Sequence, residues 1–407
     1  MSEPTSGRSD HHRLLAGLQA SQRSRIDSFI VMDVMRAAAA REAAGDRVIH
    51  MEVGQPATPA PKAARRALAA RLETDGLGYS LALGIDALRE RIAAHYQITY
   101  GVSVAPERVV VTTGSSGGFL LAFLAAFDAG DAVALPQPGY PCYRHILSAL
   151  GQPSVALPTG PDNRFMPTAA AITEAARARA DLRGVLIASP ANPTGTMLSR
   201  ERLAEVTTAC RDNGLWFISD EIYHGLAYGP AVAQAQTALA HSPDAIVINS
   251  FSKYYSMTGW RVGWMIVPDR LVRTVERLQQ NLFICAPVAS QVAALGAFEA
   301  GEELEANRLV YERNRDVLLA ELPKAGLATF APADGAFYLY CDVRHLTDDS
   351  RAFAARMLAE TGVAATPGID FDPVNGRFFL RFSYAGATAD MVEAAHRLTT
   401  WARTRRG

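Results

Sequence analysis

Short apolar runs alternate with amphipathic stretches along this chain from about residue 105 onwards. The runs are bounded by turn residues, as is typical of buried strands. They lie at 109–112, 132–135, 154–157, 184–188, 215–219, 245–249 and 262–267. Helical patterns separate many of them, for example at 116–127 and 200–213. This alternation predicts an α/β fold in which a mostly parallel sheet is sandwiched by helices.

The pattern changes after residue 296, where a second, smaller α+β domain is predicted. Its elements are a long charged helix over 302–322, strands at 336–341 and 378–382, and a helix over 351–361. The predicted division is a flexible polar tail over 1–25, a large domain over 57–295, and a small domain formed by 26–56 together with 296–407. The tail lacks the apolar core of a signal peptide.

Composition and charge exclude several classes of protein. The 40 basic residues are balanced by 41 acidic ones, so there is no broad basic field for nucleic acid. The longest strongly apolar stretch, 119–127, is about half as long as a membrane span. The four cysteines show no paired spacing typical of a metal or redox site. We therefore expect a cytoplasmic protein that binds neither nucleic acid, nor membrane, nor metal.

Polar or turn-rich segments follow several of the predicted strands. In a parallel sheet, ligands bind outside the carboxyl ends of the strands, so chemistry is expected in these segments. They are Gly114-Ser115-Ser116, Pro138-Gly139-Tyr140, 189–195, 220–223 and 250–253.

Lysine is rare in this chain, which narrows the search for a reactive amine. Only three of the 40 basic residues are lysines, namely Lys62, Lys253 and Lys324. Lys62 and Lys324 are expected on the surface, at a helix start and in a loop. Lys253 follows a buried strand, where an amine loses its charge easily and can condense with an aldehyde. A plain salt-bridged lysine is the alternative interpretation of this position.

Two neighbouring segments suggest a site for an anion. Arg261 lies close in sequence to the hydroxyls of Ser250 and Ser252, and its planar guanidinium matches phosphate oxygens. The turn at 114–118 opens a predicted helix, where free N–H groups favour phosphate. Such a turn has no ligand in many proteins, so this second signal is weak alone.

Three further residues each have a structural and a functional interpretation. Asp220 either caps the following helix or pairs with a pyridinium nitrogen. Asn192 is either a turn residue or a ligand-binding amide. Tyr140 is either an aromatic at the rim of a cleft or a platform that stacks on a flat ring.

Taken together and in chain order, these segments resemble the class I aminotransferases, which are fold-type I pyridoxal-phosphate enzymes. The resemblance extends from about residue 26 nearly to the end of the chain. Its most specific parts are 189–195, 220–223, and 250–253 with Arg261. It implies a pyridoxal phosphate cofactor and a homodimer with shared active sites.

The resemblance also implies a role for each matching residue. In the implied cofactor site, Lys253 is the amine that bonds to the aldehyde and moves protons, and Asp220 is the partner of the ring nitrogen. Tyr223 and Asn192 are donors to the phenolic oxygen, and Tyr140 is the ring that stacks on the cofactor. The implied phosphate site consists of Ser115, Ser116, Ser250, Ser252 and Arg261, with Tyr79 from the neighbouring subunit. The implied substrate site consists of Arg381 and Gly54 at the α-carboxylate, with Tyr140 and Asn192.

The expected reaction is transamination between an L-amino acid and 2-oxoglutarate or another 2-oxo acid. Residues 281–291 contain no basic side chain for a second carboxylate, so a neutral or aromatic donor is predicted. A dicarboxylate-specific aminotransferase and a carbon–sulfur β-lyase on the same fold are the alternatives. A cofactor-binding regulator would need an attached DNA-binding module. A dehydrogenase would need a Gly-x-Gly-x-x-Gly turn, and the glycines within 114–118 do not have that spacing.

Overall fold

A computed structural model describes residues 19–74 and 76–404 of the chain. The strands are β1 (Ile49–His50), β2 (Val109–Thr112), β3 (Ala132–Gln137), β4 (Ser154–Pro158), β5 (Leu182–Ala188), β6 (Trp216–Asp220), β7 (Ile246–Ser250), β8 (Gly263–Ile266), β9 (Thr329–Phe330), β10 (Tyr338–Asp342), β11 (Val363–Ala364), β12 (Thr366–Pro367) and β13 (Phe379–Ser383). The α-helices are α1 (Ile30–Ala43), α2 (Lys62–Leu72), α3 (Asp86–Tyr100), α4 (Gly114–Ala126), α5 (Pro141–Leu150), α6 (Ala169–Ala178), α7 (Arg200–Asp212), α8 (Asp269–Leu282), α9 (Val288–Ala297), α10 (Gly301–Glu321), α11 (Ser350–Thr361) and α12 (Thr388–Thr404).

The larger sheet has seven strands in the order β2-β8-β7-β6-β5-β3-β4. Its pairs are parallel except those of β8, which runs antiparallel to both β2 and β7. Side chains alternate between its faces, so Val247 packs into one buried cluster and its neighbours Ile246 and Ile248 into another. Both faces are therefore covered, and the predicted α/β sandwich is confirmed.

A second body of the chain is built on a smaller antiparallel sheet in the order β12-β13-β10-β9. Strands β1 and β11 form a separate parallel pair beside it. Ile49 and Met51 from the early part of the chain enter the same core as Leu380 and Phe382. Helix α10 contributes to both cores, and the domain boundaries at 56/57 and 295/296 stay a prediction.

The amino-terminal part of the chain is described only from residue 19. Residues 1–18 of the predicted tail lie outside the described residues. A short 3-10 helix forms at Gln22–Ser24 before α1 begins at Ile30. No helix in 19–74 or 76–404 has the length and apolar character needed to cross a bilayer.

Candidate active site

One cleft lies where the strands of the large sheet end, and it encloses about 210 Å³. Strand β6 ends at Asp220, β7 at Ser250 and β2 just before Gly114, so the segments that follow them meet at one edge. The predicted residues in the lining are Gly54, Ser115, Ser116, Tyr140, Asn192, Asp220, Tyr223, Ser252, Lys253, Arg261 and Arg381. The structure thus brings together segments separated by more than 300 residues in the chain.

Lys253 presents its amine inside this cleft. Its Nζ donates a hydrogen bond to the carbonyl of Gly54, 2.5 Å away, and lies 5.9 Å from the ring centre of Tyr223. Burial, with the like charges of Arg381 and Arg261, lowers the pKa of Lys253 to about 8. The amine is therefore neutral far more often than a surface lysine is, and a neutral amine is the form that attacks an aldehyde.

Asp220 supplies a buried carboxylate at the end of β6, with only 3% of its surface exposed. Its Oδ1 accepts a hydrogen bond from the Ile222 N–H at 3.0 Å, and its Oδ2 accepts one from the hydroxyl of Tyr143. Burial raises the pKa of Asp220 to about 6, while these two hydrogen bonds oppose the rise. The group is suited to pair with a cation that enters the cleft.

The first turn of α4 and Arg261 form a cationic pocket in the same cleft. Gly114 has φ +65°, and a Cβ there would lie 2.4 Å from Nη2 of Arg261. Glycine is therefore needed for the guanidinium to approach the helix start, where free N–H groups point outward. The serine and threonine residues that line the cleft are Ser115, Ser116, Ser252 and Thr258.

Two residues of the predicted phosphate site lie outside the lining. Ser250 is buried behind it, and its hydroxyl lies 2.8 Å from the Ser252 hydroxyl and 3.0 Å from the Val262 carbonyl. Tyr79 is 86% exposed on the surface of the chain. The roles predicted for both residues stay predictions.

Arg381 crosses the cleft from the smaller sheet and is 2% exposed. Its Nη1 donates to Asn192 Oδ1 at 2.9 Å, and its Nη2 donates to Thr366 Oγ1 at 3.1 Å and to the Glu52 carbonyl. The guanidinium also lies 4.4 Å from the ring centre of Tyr338. These contacts hold a planar cation in one orientation, which suits two-point binding of a carboxylate.

The side chains present fit pyridoxal phosphate. Lys253 offers an amine of lowered pKa for the aldehyde, Asp220 a carboxylate for the ring nitrogen, and Arg261 with the helix start a site for the phosphate. The missing side chain of Gly114 leaves room for Arg261 beside this candidate phosphate site.

Several residues of the site were not predicted from the sequence. Tyr143 and Tyr338 reach it through the packing of α5 and β10, and Phe29, Val31, Met32 and Met35 form an apolar wall at the start of α1. The run 336–341 was predicted as a strand. Its pairing partner was not predicted, and it is the pairing of Tyr338 in β10 with Ser383 in β13 that places this tyrosine beside the strand of Arg381. Strand register depends on contacts between distant segments, so no local signal revealed it.

Comparison with known proteins places these features in context. The family model for aminotransferase class I and II matches residues 46–398. The valine–pyruvate aminotransferase of Mycobacterium tuberculosis is 51% identical over 381 residues, which cover 93% of this chain and 97% of that protein. The (5-formylfuran-3-yl)methyl phosphate transaminase of Methanocaldococcus jannaschii is 35% identical, with 91% and 96% covered. A crystal structure of an aminotransferase from Mycobacterium tuberculosis has 50% identity and a TM-score of 0.93, with 95% of this chain and 100% of that chain covered.

Proposed function

Since this chain belongs to the aminotransferase class I and II family, whose members use pyridoxal phosphate, we propose that it transfers the amino group of valine or another neutral aliphatic amino acid to pyruvate. The products are then the matching 2-oxo acid and alanine. One observation carries this proposal. The cleft combines an apolar wall with three cations, and the roles proposed for the cofactor and the α-carboxylate use all three.

The apolar wall supports a neutral donor. Phe29, Val31, Met32 and Met35 line one end of the cleft, while Lys253, Arg261 and Arg381 are the basic residues among its described lining. Lys253 and Arg261 are assigned to the cofactor, and Arg381 to the α-carboxylate. No described lining cation is left for a side-chain carboxylate, and burying a charge without a partner is costly.

Among the 2-oxo acids that the sequence left open as acceptors, the same reasoning favours pyruvate over 2-oxoglutarate. The second carboxylate of 2-oxoglutarate would meet the same apolar wall, whereas the methyl group of pyruvate would not need a partner. A 51% identical relative carries pyruvate in its name, which supports this choice.

The protein side of the chemistry follows from the geometry. Bound pyridoxal phosphate supplies an aldehyde that bonds to amines and a ring that accepts electrons. Asp220 holds a negative charge that favours a proton on the ring nitrogen. Arg381 binds the α-carboxylate and thereby orients the α-carbon. When its amine is free, Lys253 Nζ would take the α-proton as a general base and would return it, as a general acid, to the carbon of the former aldehyde group.

We further propose a homodimer in which Tyr79 completes the phosphate site of the other subunit. Tyr79 and Leu81 are 86% and 73% exposed, a large apolar exposure for one short loop. Gln291 of α9 ties this loop to the segment before α9, because its Nε2 donates to Ser80 Oγ at 3.2 Å and to the Ala286 carbonyl at 2.9 Å. That segment also exposes Ile284 by 53%. A second copy that covered both would remove this apolar surface from water.

The test is a matrix of donors and acceptors. Purified enzyme is supplied with valine, leucine, alanine, phenylalanine, aspartate or arginine, and with pyruvate or 2-oxoglutarate, and product amino acids are quantified. We expect valine with pyruvate to exceed aspartate with pyruvate by about a hundredfold in kcat/KM, the effect of an unpaired buried charge. A higher value for aspartate would refute the proposal. Pyruvate released from cystathionine without an acceptor would indicate the β-lyase alternative.

A further inference from the structure

Two buried tyrosine hydroxyls form a pair at the edge of the cleft. Tyr223 follows β6 and Tyr338 begins β10, and their Oη atoms lie 2.7 Å apart. The side chains are 4% and 1% exposed, and their ring planes meet at 79°. Two hydroxyls at this distance share one hydrogen bond, in which one donates and the other accepts. The proton of the accepting hydroxyl is then free to form a hydrogen bond with a third group.

The distance alone allows either hydroxyl to be the donor, and the other contacts of Tyr338 favour Tyr338. A Cβ on Gly54 would lie 1.8 Å from Tyr338 Oη, so this oxygen packs directly against the Gly54 backbone carbon, which accepts no hydrogen bond. On the ring face lies the guanidinium of Arg381, 4.4 Å from the ring centre, and arginine is a donor only. Buried hydroxyls usually find an acceptor, and the acceptor that the described contacts offer to Tyr338 is Tyr223 Oη.

We propose that Tyr338 is a positioning residue, whose hydroxyl donates to the oxygen of Tyr223 and so leaves the Tyr223 proton directed into the cleft. This inference rests on the proposed role of Tyr223 as donor to the phenolic oxygen of the cofactor, and it is independent of which amino acid is the substrate. A hydroxyl that accepts a hydrogen bond is a stronger donor, because hydrogen bonds in a chain polarise one another. Tyr338 therefore strengthens the bond that Tyr223 makes.

The same geometry explains why position 54 is a glycine. Its carbonyl accepts from Lys253 Nζ, while its missing side chain provides the room for the Tyr338 hydroxyl. Any larger residue would displace either the loop or the tyrosine. The amine, the glycine and the two tyrosines are thus one connected group of contacts.

The experiment measures the pH midpoint of the visible absorbance of the cofactor bound to Lys253, in the absence of substrate. A donor to the phenolic oxygen stabilises its negative charge and so lowers the proton affinity of the attached nitrogen. We expect Tyr338→Phe to raise the midpoint by about half a pH unit, a typical value for one hydrogen bond. Tyr223→Phe should raise it further, and the double variant should match Tyr223→Phe alone because Tyr338 acts through Tyr223.

Tyr340→Phe is the matched control, since it removes a buried hydroxyl of the same strand that has no hydrogen-bond partner among the described residues. Its midpoint should equal that of the natural enzyme, and urea unfolding of each cofactor-free variant checks the fold. An unchanged midpoint in Tyr338→Phe beside a shifted one in Tyr223→Phe would overturn the inference. So would shifts that add in the double variant. An unshifted Tyr223→Phe would overturn both this inference and the proposed role of Tyr223.

Discussion

The hydroxyl of Tyr143 donates a hydrogen bond to the carboxylate of Asp220. Tyr143 lies one helical turn after Tyr140, at the start of α5, and their ring centres are 5.2 Å apart in an edge-to-face contact. The ring predicted to stack on the cofactor therefore directly precedes the helix whose first turn carries the hydroxyl that supports the acid. This support explains how a carboxylate that is 3% exposed can carry a charge.

Replacing Tyr143 with Phe should make Asp220 a weaker acid without removing the aromatic ring at position 143. The phenyl ring keeps the contacts with Tyr140, but the pKa of Asp220 rises further above its value of about 6 because the donor is gone. We expect kcat at pH 7 to fall about tenfold, consistent with the loss of a hydrogen bond to a charged group. Steady-state rates across pH 6–9 provide the measurement, and the deficit should shrink as the pH rises and Asp220 ionises again. Equal rates for variant and natural enzyme throughout would contradict this role.

The rate at which the cofactor-free enzyme bonds to pyridoxal phosphate should rise with pH around a midpoint near 8. Lys253 must be neutral to attack, and burial with the nearby arginines lowers its pKa to about 8 from 10.5. The neutral fraction at neutral pH is therefore about 300-fold larger than for an ordinary lysine. Stopped-flow absorbance at several pH values measures this dependence. A midpoint above pH 10 would show that the amine is unperturbed.

Covalent trapping should locate the cofactor on Lys253 alone. Borohydride reduction of the loaded enzyme, followed by proteolysis and mass spectrometry, fixes the cofactor to its amine. Lys62 and Lys324 are internal controls, and Lys324 is 57% exposed and paired with Glu321 at 2.6 Å. Lys253→Ala should abolish turnover while leaving the far-UV circular dichroism unchanged. Label on either other lysine, or normal turnover in the variant, would refute the site.

Arg381→Lys should impair recognition of the α-carboxylate. A lysine ammonium lacks the planar pair of donors that the guanidinium presents, so we expect the KM for valine to rise at least tenfold. The ratio of kcat/KM for valine to that for isobutylamine, which lacks the carboxylate, should fall. Arg377→Lys, at an exposed position near the start of the same strand, is the matched control and should leave both values unchanged. A preserved ratio in Arg381→Lys would show that another group binds the carboxylate.

Much of the architecture was predictable because its signals are local. The run at 109–112 coincides with β2. The first and last residues of the other apolar runs of the large sheet differ by at most two positions from those of a strand. Asp220 could be singled out because it directly follows the run at 215–219, and Lys253 because it lies in the short segment after the run at 245–249. The orientation of β8 was not predictable, since an apolar run has the same pattern in a parallel and an antiparallel strand.

The amino-acid order alone determined the layered α/β architecture, the scarcity of amines and the polar segments at the strand ends, because each depends on neighbouring residues. Only the tertiary structure decided that Tyr143 supports Asp220, that Tyr338 meets Tyr223, and that the start of α1 forms the apolar wall. Such contacts join segments up to several hundred residues apart. They are set by strand register and helix packing, which emerge only when the whole core is assembled.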